Sequence, residues 1–221
     1  AMPSECDCRP AVAPSRRAVL VAGLVAGLWR PRRAPALPAE EVAPGLAIVP
    51  RAEWAPDLAP TGPVPDEPDV RFLLVHHSVD RNDYTPAGAV DALRAIHRFH
   101  TSADKGWPDI AYNFFVDRFG TVYEGRLGSL AGPKAGDATG GSQGFAQLCC
   151  FLGDHRTEAP TPDAVASMAR LLGWLAARHR IALEPGATAT FVSRGSNRHP
   201  AGVTVTTPTI AGHRDMSATA C

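Results

Sequence analysis

Val70-Arg71-Phe72-Leu73-Leu74-Val75-His76-His77-Ser78 is the stretch from which the rest of the chain can be read. A continuous apolar run closed by two histidines predicts a central strand that delivers a ligand at its tip. Far downstream, Gly212-His213-Arg214-Asp215-Met216-Ser217-Ala218-Thr219-Ala220-Cys221 sets a histidine and a cysteine eight positions apart. Imidazole and thiolate are donors that zinc prefers. Three protein ligands leave an open fourth position, as in catalytic sites, whereas four close the site into a structural one. Spacing of this kind also arises by chance, so the motifs between the two stretches must decide.

The composition narrows the classes. With 221 residues, 45% of them hydrophobic, the chain has room for one domain of ordinary size plus a tail. Lys+Arg and Asp+Glu both total 22, so no net field draws the protein to nucleic acid or to an anionic membrane, and no nucleic-acid partner is expected. Of the five cysteines, Cys6 and Cys8 lie in a segment expected to be removed. Cys149, Cys150 and Cys221 remain, an odd number that fits no simple disulfide framework. Cys149 and Cys150 are neighbours in a buried strand over Gln147 to Leu152, so they should point to opposite faces as small apolar fillers.

Ser15-Arg16-Arg17-Ala18-Val19-Leu20 followed by the apolar run Val21 to Trp29 has the layout of an export signal, and its paired arginines resemble the twin-arginine type. Residues 1–36 are therefore expected to be a signal, too short to span a bilayer, with a small-residue cleavage site at Ala34-Pro35-Ala36. Arg30, Arg32 and Arg33 are unusual beside such a site, and a disordered arginine- and proline-rich tail is the alternative. A secreted or cell-wall location follows from the signal, with no stable membrane insertion of the mature chain. Residues 37–69, rich in proline, read as a linker that becomes an arm around the domain, and Trp54 of Arg51-Ala52-Glu53-Trp54 is expected to pack on the core edge. The domain is expected to run over 70–221.

Within it, Thr85-Pro86 reads as an N-cap and first helical proline. Val90, Leu93, Ile96, His97 and His100 fall on one face of the helix that follows, with both histidines expected to be buried and hydrogen-bonded. Ile110 to Val116 is a strand, and Val122 to Arg126 is its hairpin partner. Leu127 to Gly144 is a long loop of the kind that lines binding sites, and Phe145 to Gly153 is the next strand. Thr161-Pro162-Asp163 opens a second helix with Val165, Met168, Leu172, Leu175 and His179 as its buried stripe. Ser193 to Gly202 is a polar loop. Strands alternating with two amphipathic helices predict an α/β or α+β domain, a central mixed β-sheet flanked by helices.

The motifs His76-His77-Ser78, Gly106-Trp107-Pro108-Asp109-Ile110-Ala111-Tyr112-Asn113-Phe114, Gly120-Thr121-Val122-Tyr123-Glu124-Gly125-Arg126 and Gly212-His213-Arg214-Asp215 with Thr219 and Cys221 occur in one order. Together they resemble the zinc N-acetylmuramoyl-L-alanine amidases and the related peptidoglycan recognition proteins over about residues 51–221. The resemblance implies a single-domain fold with a metal groove and hydrolysis of the amide between N-acetylmuramic acid and L-alanine in peptidoglycan or muropeptides. It implies His76, His213 and Cys221 as zinc ligands, with His77 turned to the other side of its strand. It implies Tyr112 as the oxyanion donor and Thr219 as a second catalytic residue that assists by hydrogen bonding. Trp107, Asn113, Arg126 and Arg214 are the implied substrate contacts. Zinc makes hydroxide available near neutral pH and polarises the carbonyl, so the chemistry also follows from the donor set.

Three departures stand out. Gly132 to Asp137 lacks a histidine common in the family, Ser193 to Thr207 looks inserted, and the chain stops at Cys221 where relatives continue, so a truncated domain is expected. A non-catalytic peptidoglycan binder is the competing class, since many recognition members have lost the metal, and the presence of Cys221 weighs against it. A closed structural zinc module with His199 as fourth ligand is the third reading.

Overall fold

The computed structural model describes residues 37–140 and 144–221. The expected export signal, with Cys6 and Cys8, lies outside the described residues. The central strand is β3 (Phe72–His77). It pairs in parallel with β6 (Ala146–Phe151) on one side and β9 (Ile210–Gly212) on the other. Beyond β6 lie β4 (Phe114–Val116), β5 (Val122–Glu124), β2 (Leu46–Val49) and the edge strand β1 (Glu40–Ala43). The seven-stranded order is β1-β2-β5-β4-β6-β3-β9, with β4/β5 and β1/β2 antiparallel. The expected mixed sheet is present.

Side chains alternate across it. Leu73, Phe114, Val116 and Cys149 form one core with α3 (Pro162–His179), and Phe115, Tyr123 and Cys150 form another with α2 (Pro86–His100). Cys149 and Cys150 therefore do face opposite sides, both fully buried and in no disulfide. Both helices begin as their sequences predict: Thr85 Oγ1 accepts from Gly88 N and Thr161 Oγ1 from Ala164 N, each ahead of a proline. On α2, Leu93, Ile96, His97 and His100 are buried as expected, with Ala89 in place of Val90. On α3 the buried stripe is Ala164, Met168, Leu171, Leu172, Leu175 and Ala176. Met168, Leu172 and Leu175 are buried as expected, whereas Val165 stands 49% exposed and His179 is half-buried, with Ala164, Leu171 and Ala176 completing the buried face. Small alanines at 164 and 176 let the helix approach the sheet, which an apolar-size pattern does not register.

Residues 37–69 are more than an arm, because β1 and β2 extend the sheet and bury Leu46, Ile48 and Val49. Four-residue strands between prolines carry too little periodicity to be seen in sequence. Behind them α1 (Arg51–Trp54) drives Arg51 and Trp54 inward. Arg51, 1% exposed, donates from Nη1 to Gly125 O at 2.6 Å and from Nη2 to Leu58 O at 2.9 Å, and it pairs with Asp109 Oδ1 at 3.3 Å. Glu124 Oε2 accepts from Arg51 N, and Glu124 O accepts from Trp54 Nε1. Asp109, fully buried, also accepts from Ile110 N and Leu127 N and lies 3.2 Å from His97 Nε2.

The expected polar loop at Ser193 to Gly202 joins a hairpin, β7 (Thr188–Val192) with β8 (Thr204–Pro208), which forms a separate two-stranded sheet. Phe191 anchors it, with its ring 5.4 Å from both Phe72 and Phe145. Among the described residues no helix is long and apolar enough to cross a membrane.

Replacing Asp109 with Ala leaves the Arg51 guanidinium buried without its carboxylate, an expected loss of about 3–5 kcal/mol. Urea unfolding should show a lower midpoint at unchanged slope; a midpoint equal to that of the unmodified protein would mean that the network contributes nothing.

Candidate metal centre and active site

Parallel pairing of β3 and β9 aligns Val75 with Gly212, so the residues that follow them, His76 on β3 and His213 just past the end of β9, emerge at the same edge. Gly212 ends β9, and Asp215 Oδ2 accepts from Gly212 N at 2.8 Å as α4 (His213–Met216) begins. The two imidazoles lie 4.4 Å apart, centroid to centroid. The chain then returns to bring Cys221 Sγ 3.9 Å from His76 Nδ1, where the sulfur also accepts from His77 N at 3.5 Å. One donor atom from each of His76, His213 and Cys221 lies within 4.8 Å of the others.

These donors suit a metal on chemical grounds. His76 and His213 are each 3% exposed, and His76 Nε2 and both ring nitrogens of His213 are buried without a hydrogen-bond partner. Each such orphan costs about 1–3 kcal/mol unless something satisfies it. Burial pushes the His76 pKa well below the ordinary histidine value and lowers that of His213 to about 4. Both rings are therefore neutral near pH 7 and carry the lone pairs a metal needs. Two neutral imidazoles and a thiol match a three-ligand zinc site. Among the described residues this is the sole metal-capable group of three. His199 does not close it, since its Nε2 is engaged at 2.7 Å with Asp215 O.

His77 points to the other side, as strand alternation requires. Its Nδ1 accepts from His155 N at 2.9 Å, near Asp154, and burial, partly offset by Asp154, lowers its pKa.

Tyr112 flanks the metal group, its ring 5.0 Å from that of His76. The strand expected over Ile110 to Val116 covers only Phe114–Val116. Consecutive amides of Gly125 and Arg126 donate to the consecutive carbonyls of Asn113 and Tyr112 at 2.8 Å each, a pattern that a regular antiparallel ladder lacks. A Cβ on Gly125 would stand 2.4 Å from Tyr112 O, so only glycine permits this approach. The segment is instead pinned by α2: His100 Nδ1 accepts from Ala111 N at 3.1 Å, and its ring packs between Trp107 at 4.8 Å and Tyr112 at 5.8 Å. Burial is the main cause that lowers the His100 pKa to about 3, which preserves the neutral acceptor.

The remaining expected residues divide. Trp107 is half-buried beside His100, and Arg214 is exposed next to His213, with its Nη2 donating to Ala220 O at 3.0 Å. Asn113 and Arg126, expected as substrate contacts, are buried among protein partners. Asn113 is fully buried, its Nδ2 donating to Ser129 Oγ and Lys134 O and its Oδ1 accepting from Leu148 N. Arg126 is 1% exposed, bound to Asp137 and Ile110 O. Both crosslink the Leu127–Gly144 loop to the sheet, a role their polar character conceals. Thr219 Oγ1 accepts from Cys221 N at 3.2 Å, which ties the hydroxyl to the turn that presents the sulfur. The sequence assigned Asp109 no role and His100 a buried, hydrogen-bonded place without a partner; the signal available was the position of Asp109 between Trp107 and Tyr112.

A protein-family model described as N-acetylmuramoyl-L-alanine amidase matches residues 66–221. The chain is similar to peptidoglycan-recognition protein LE of Drosophila melanogaster, at 32% identity over 126 residues, 57% of this chain and 35% of that protein. It is also similar to an N-acetylmuramoyl-L-alanine amidase of Sus scrofa, at 31% over 129 residues, 55% of this chain and 20% of that protein. The chain thus spans only about a third and a fifth of those two relatives. Among solved structures, peptidoglycan recognition protein-LE in complex with tracheal cytotoxin, a monomeric diaminopimelic acid-type peptidoglycan, superposes with a TM-score of 0.57 at 24% identity, covering 78% of this chain and 85% of that one. That likeness speaks for the fold. The family match takes in His76, Tyr112, His213 and Cys221 together, and by it the chain belongs to the N-acetylmuramoyl-L-alanine amidase family.

Proposed function

We propose that this chain is an exported zinc hydrolase that cleaves the amide between N-acetylmuramic acid and L-alanine in peptidoglycan. The observation that carries this reading is the convergence of the His76, His213 and Cys221 donors within 4.8 Å, with the Tyr112 ring beside them. Membership of the amidase family and the peptidoglycan fragment bound by one fold relative support the substrate class. The arginine pair and apolar run within residues 1–36 support export.

His76, His213 and Cys221 would hold the metal. Zinc there would supply a Lewis acid for the amide carbonyl and lower the pKa of water at the site. The chain's own residues do the rest. Burial keeps both imidazoles deprotonated, and the His77 amide hydrogen directed at the sulfur favours the thiolate of Cys221. The Tyr112 phenol donates a hydrogen bond to the oxygen on which charge develops as the carbonyl becomes tetrahedral. His100 and the Gly125–Arg126 amides hold the Tyr112 backbone, so the donor is placed before substrate arrives. Trp107, which packs with Tyr112, and the exposed Arg214, next in sequence to His213, are assigned to the substrate. Thr219 acts through Cys221 rather than on the substrate.

Digestion of a defined muropeptide should release free stem peptide, stop on removal of zinc by a chelator and resume on its return. Release that continues after full zinc removal overturns the reading, and retained muropeptide binding without cleavage in the zinc-loaded protein would favour a recognition role. Tyr112→Phe should lower kcat by about 10² to 10³ while bound zinc, measured by atomic emission, stays at the wild-type level. Loss of zinc along with activity would show that the tyrosine supports the metal rather than the oxyanion.

A further inference from the structure

Residues 217–221, which carry Cys221, belong to no helix or strand, so no backbone ladder fixes the third donor. The loop between β7 and β8 meets this segment instead. Ser196 Oγ donates to Met216 O at 2.9 Å. Asn197 holds both polar groups of one residue: its Nδ2 donates to Ala218 O at 3.3 Å, and its Oδ1 accepts from Ala218 N at 2.9 Å. Arg198 Nη1 donates to Arg214 O at 2.6 Å, and His199 Nε2 sits 2.7 Å from Asp215 O. Four successive side chains thus engage residues 214, 215, 216 and 218, the stretch between the second and third metal donors.

The loop itself is rigid enough to serve as a brace. Ser193 Oγ donates to His199 O and accepts from Gly195 N, Ser196 Oγ accepts from both Arg198 N and His199 N, and Ser196 N donates to His199 O. Its base is fastened to the central sheet by the stacking of Phe191 on Phe72. A continuous set of contacts therefore runs from β3, which carries His76, through the hairpin to the segment that carries Cys221.

We propose that the β7–β8 hairpin is a clamp that positions Cys221 for metal, with Asn197 as its central positioning residue. Asn197 acts as a substitute peptide unit: its amide pairs with Ala218 as a neighbouring strand would. The clamp orders the chain before metal arrives, so the ordering entropy of the third ligand is not charged against binding. The proposal rests on the zinc reading given above, but the ordering it describes exists in the metal-free protein and can be measured there.

Asn197 is exposed, so Asn197→Ala leaves the core intact. Zinc affinity, measured by chelator competition, should fall by about 10- to 100-fold, the usual effect of removing a group that orients a ligand. In the cobalt-substituted protein the thiolate-to-metal charge-transfer band should weaken relative to the d–d bands, because the sulfur is the donor released. In the metal-free protein the Ala218 amide should exchange hydrogen about tenfold faster in the variant, the worth of one hydrogen bond. Wild-type affinity, an unchanged band and unchanged Ala218 exchange in Asn197→Ala would overturn the clamp. If the wild-type protein takes up no zinc, the zinc reading falls, and the Ala218 exchange rate alone decides the clamp. Should Asn197→Ala not fold, Arg198→Ala removes the bond to Arg214 O from another exposed position, and zinc affinity and the cobalt charge-transfer band decide in the same way.

Discussion

Parallel pairing of β3 with β9 is the constraint on which the site depends. Residues 73–75 run beside 210–212 in fixed register, and a slip of one position would turn every side chain on the moved strand to the opposite face. Register here is protected because both faces of β3 are buried, Leu73 against α3 and Leu74 beneath the hairpin. The apolar core thereby sets the separation of two imidazoles that it does not touch chemically. Once His76 and His213 are in place, one further donor completes a three-ligand centre.

Around that centre the protein keeps histidines neutral by withholding water from them. His76, His100 and His213 all have depressed pKa values with burial as the main cause. The same desolvation serves two ends: at His76 and His213 it preserves lone pairs for a metal, and at His100 it preserves the acceptor that fixes Ala111 and, one residue on, Tyr112. Such groups are costly in the metal-free state, because the orphaned nitrogens of His76 and His213 have lost water without gaining a partner. A site of this kind is stabilised by what it binds, and the folded protein must hold it open meanwhile. On the Cys221 side that task falls to the hairpin, through Asn197 and its pairing with Ala218.

The sequence carried much of this in legible form. The helix caps at Thr85 and Thr161, the opposite orientations of Cys149 and Cys150, and the ligand-type residues at 76, 213 and 221 all follow from local rules of capping, alternation and donor chemistry. Other features were illegible for physical reasons. Arg126 and Asn113 look like substrate contacts because they are polar and lie in motifs, yet their partners are groups inside the protein, Asp137 and Ile110 O for one and Ser129, Lys134 O and Leu148 N for the other. β1 and β2 are too short to show a period, and the register of α3 depends on alanines that a size-based pattern ignores. Ser196 to His199 reads as an ordinary polar loop, since nothing local distinguishes a side chain that bonds water from one that bonds Ala218.

By itself the sequence determined the chemical inventory: two imidazoles, one thiol and one phenol, carried on segments whose patterning dictates a buried strand, two capped helices and a mixed sheet. Only the tertiary structure decided which of these groups meet and which are sealed into the core. Identity and periodicity are properties of neighbours along the chain. Convergence joins Cys221 to His76 across 145 positions, and that is set by strand register and by the packing of the hairpin on the sheet.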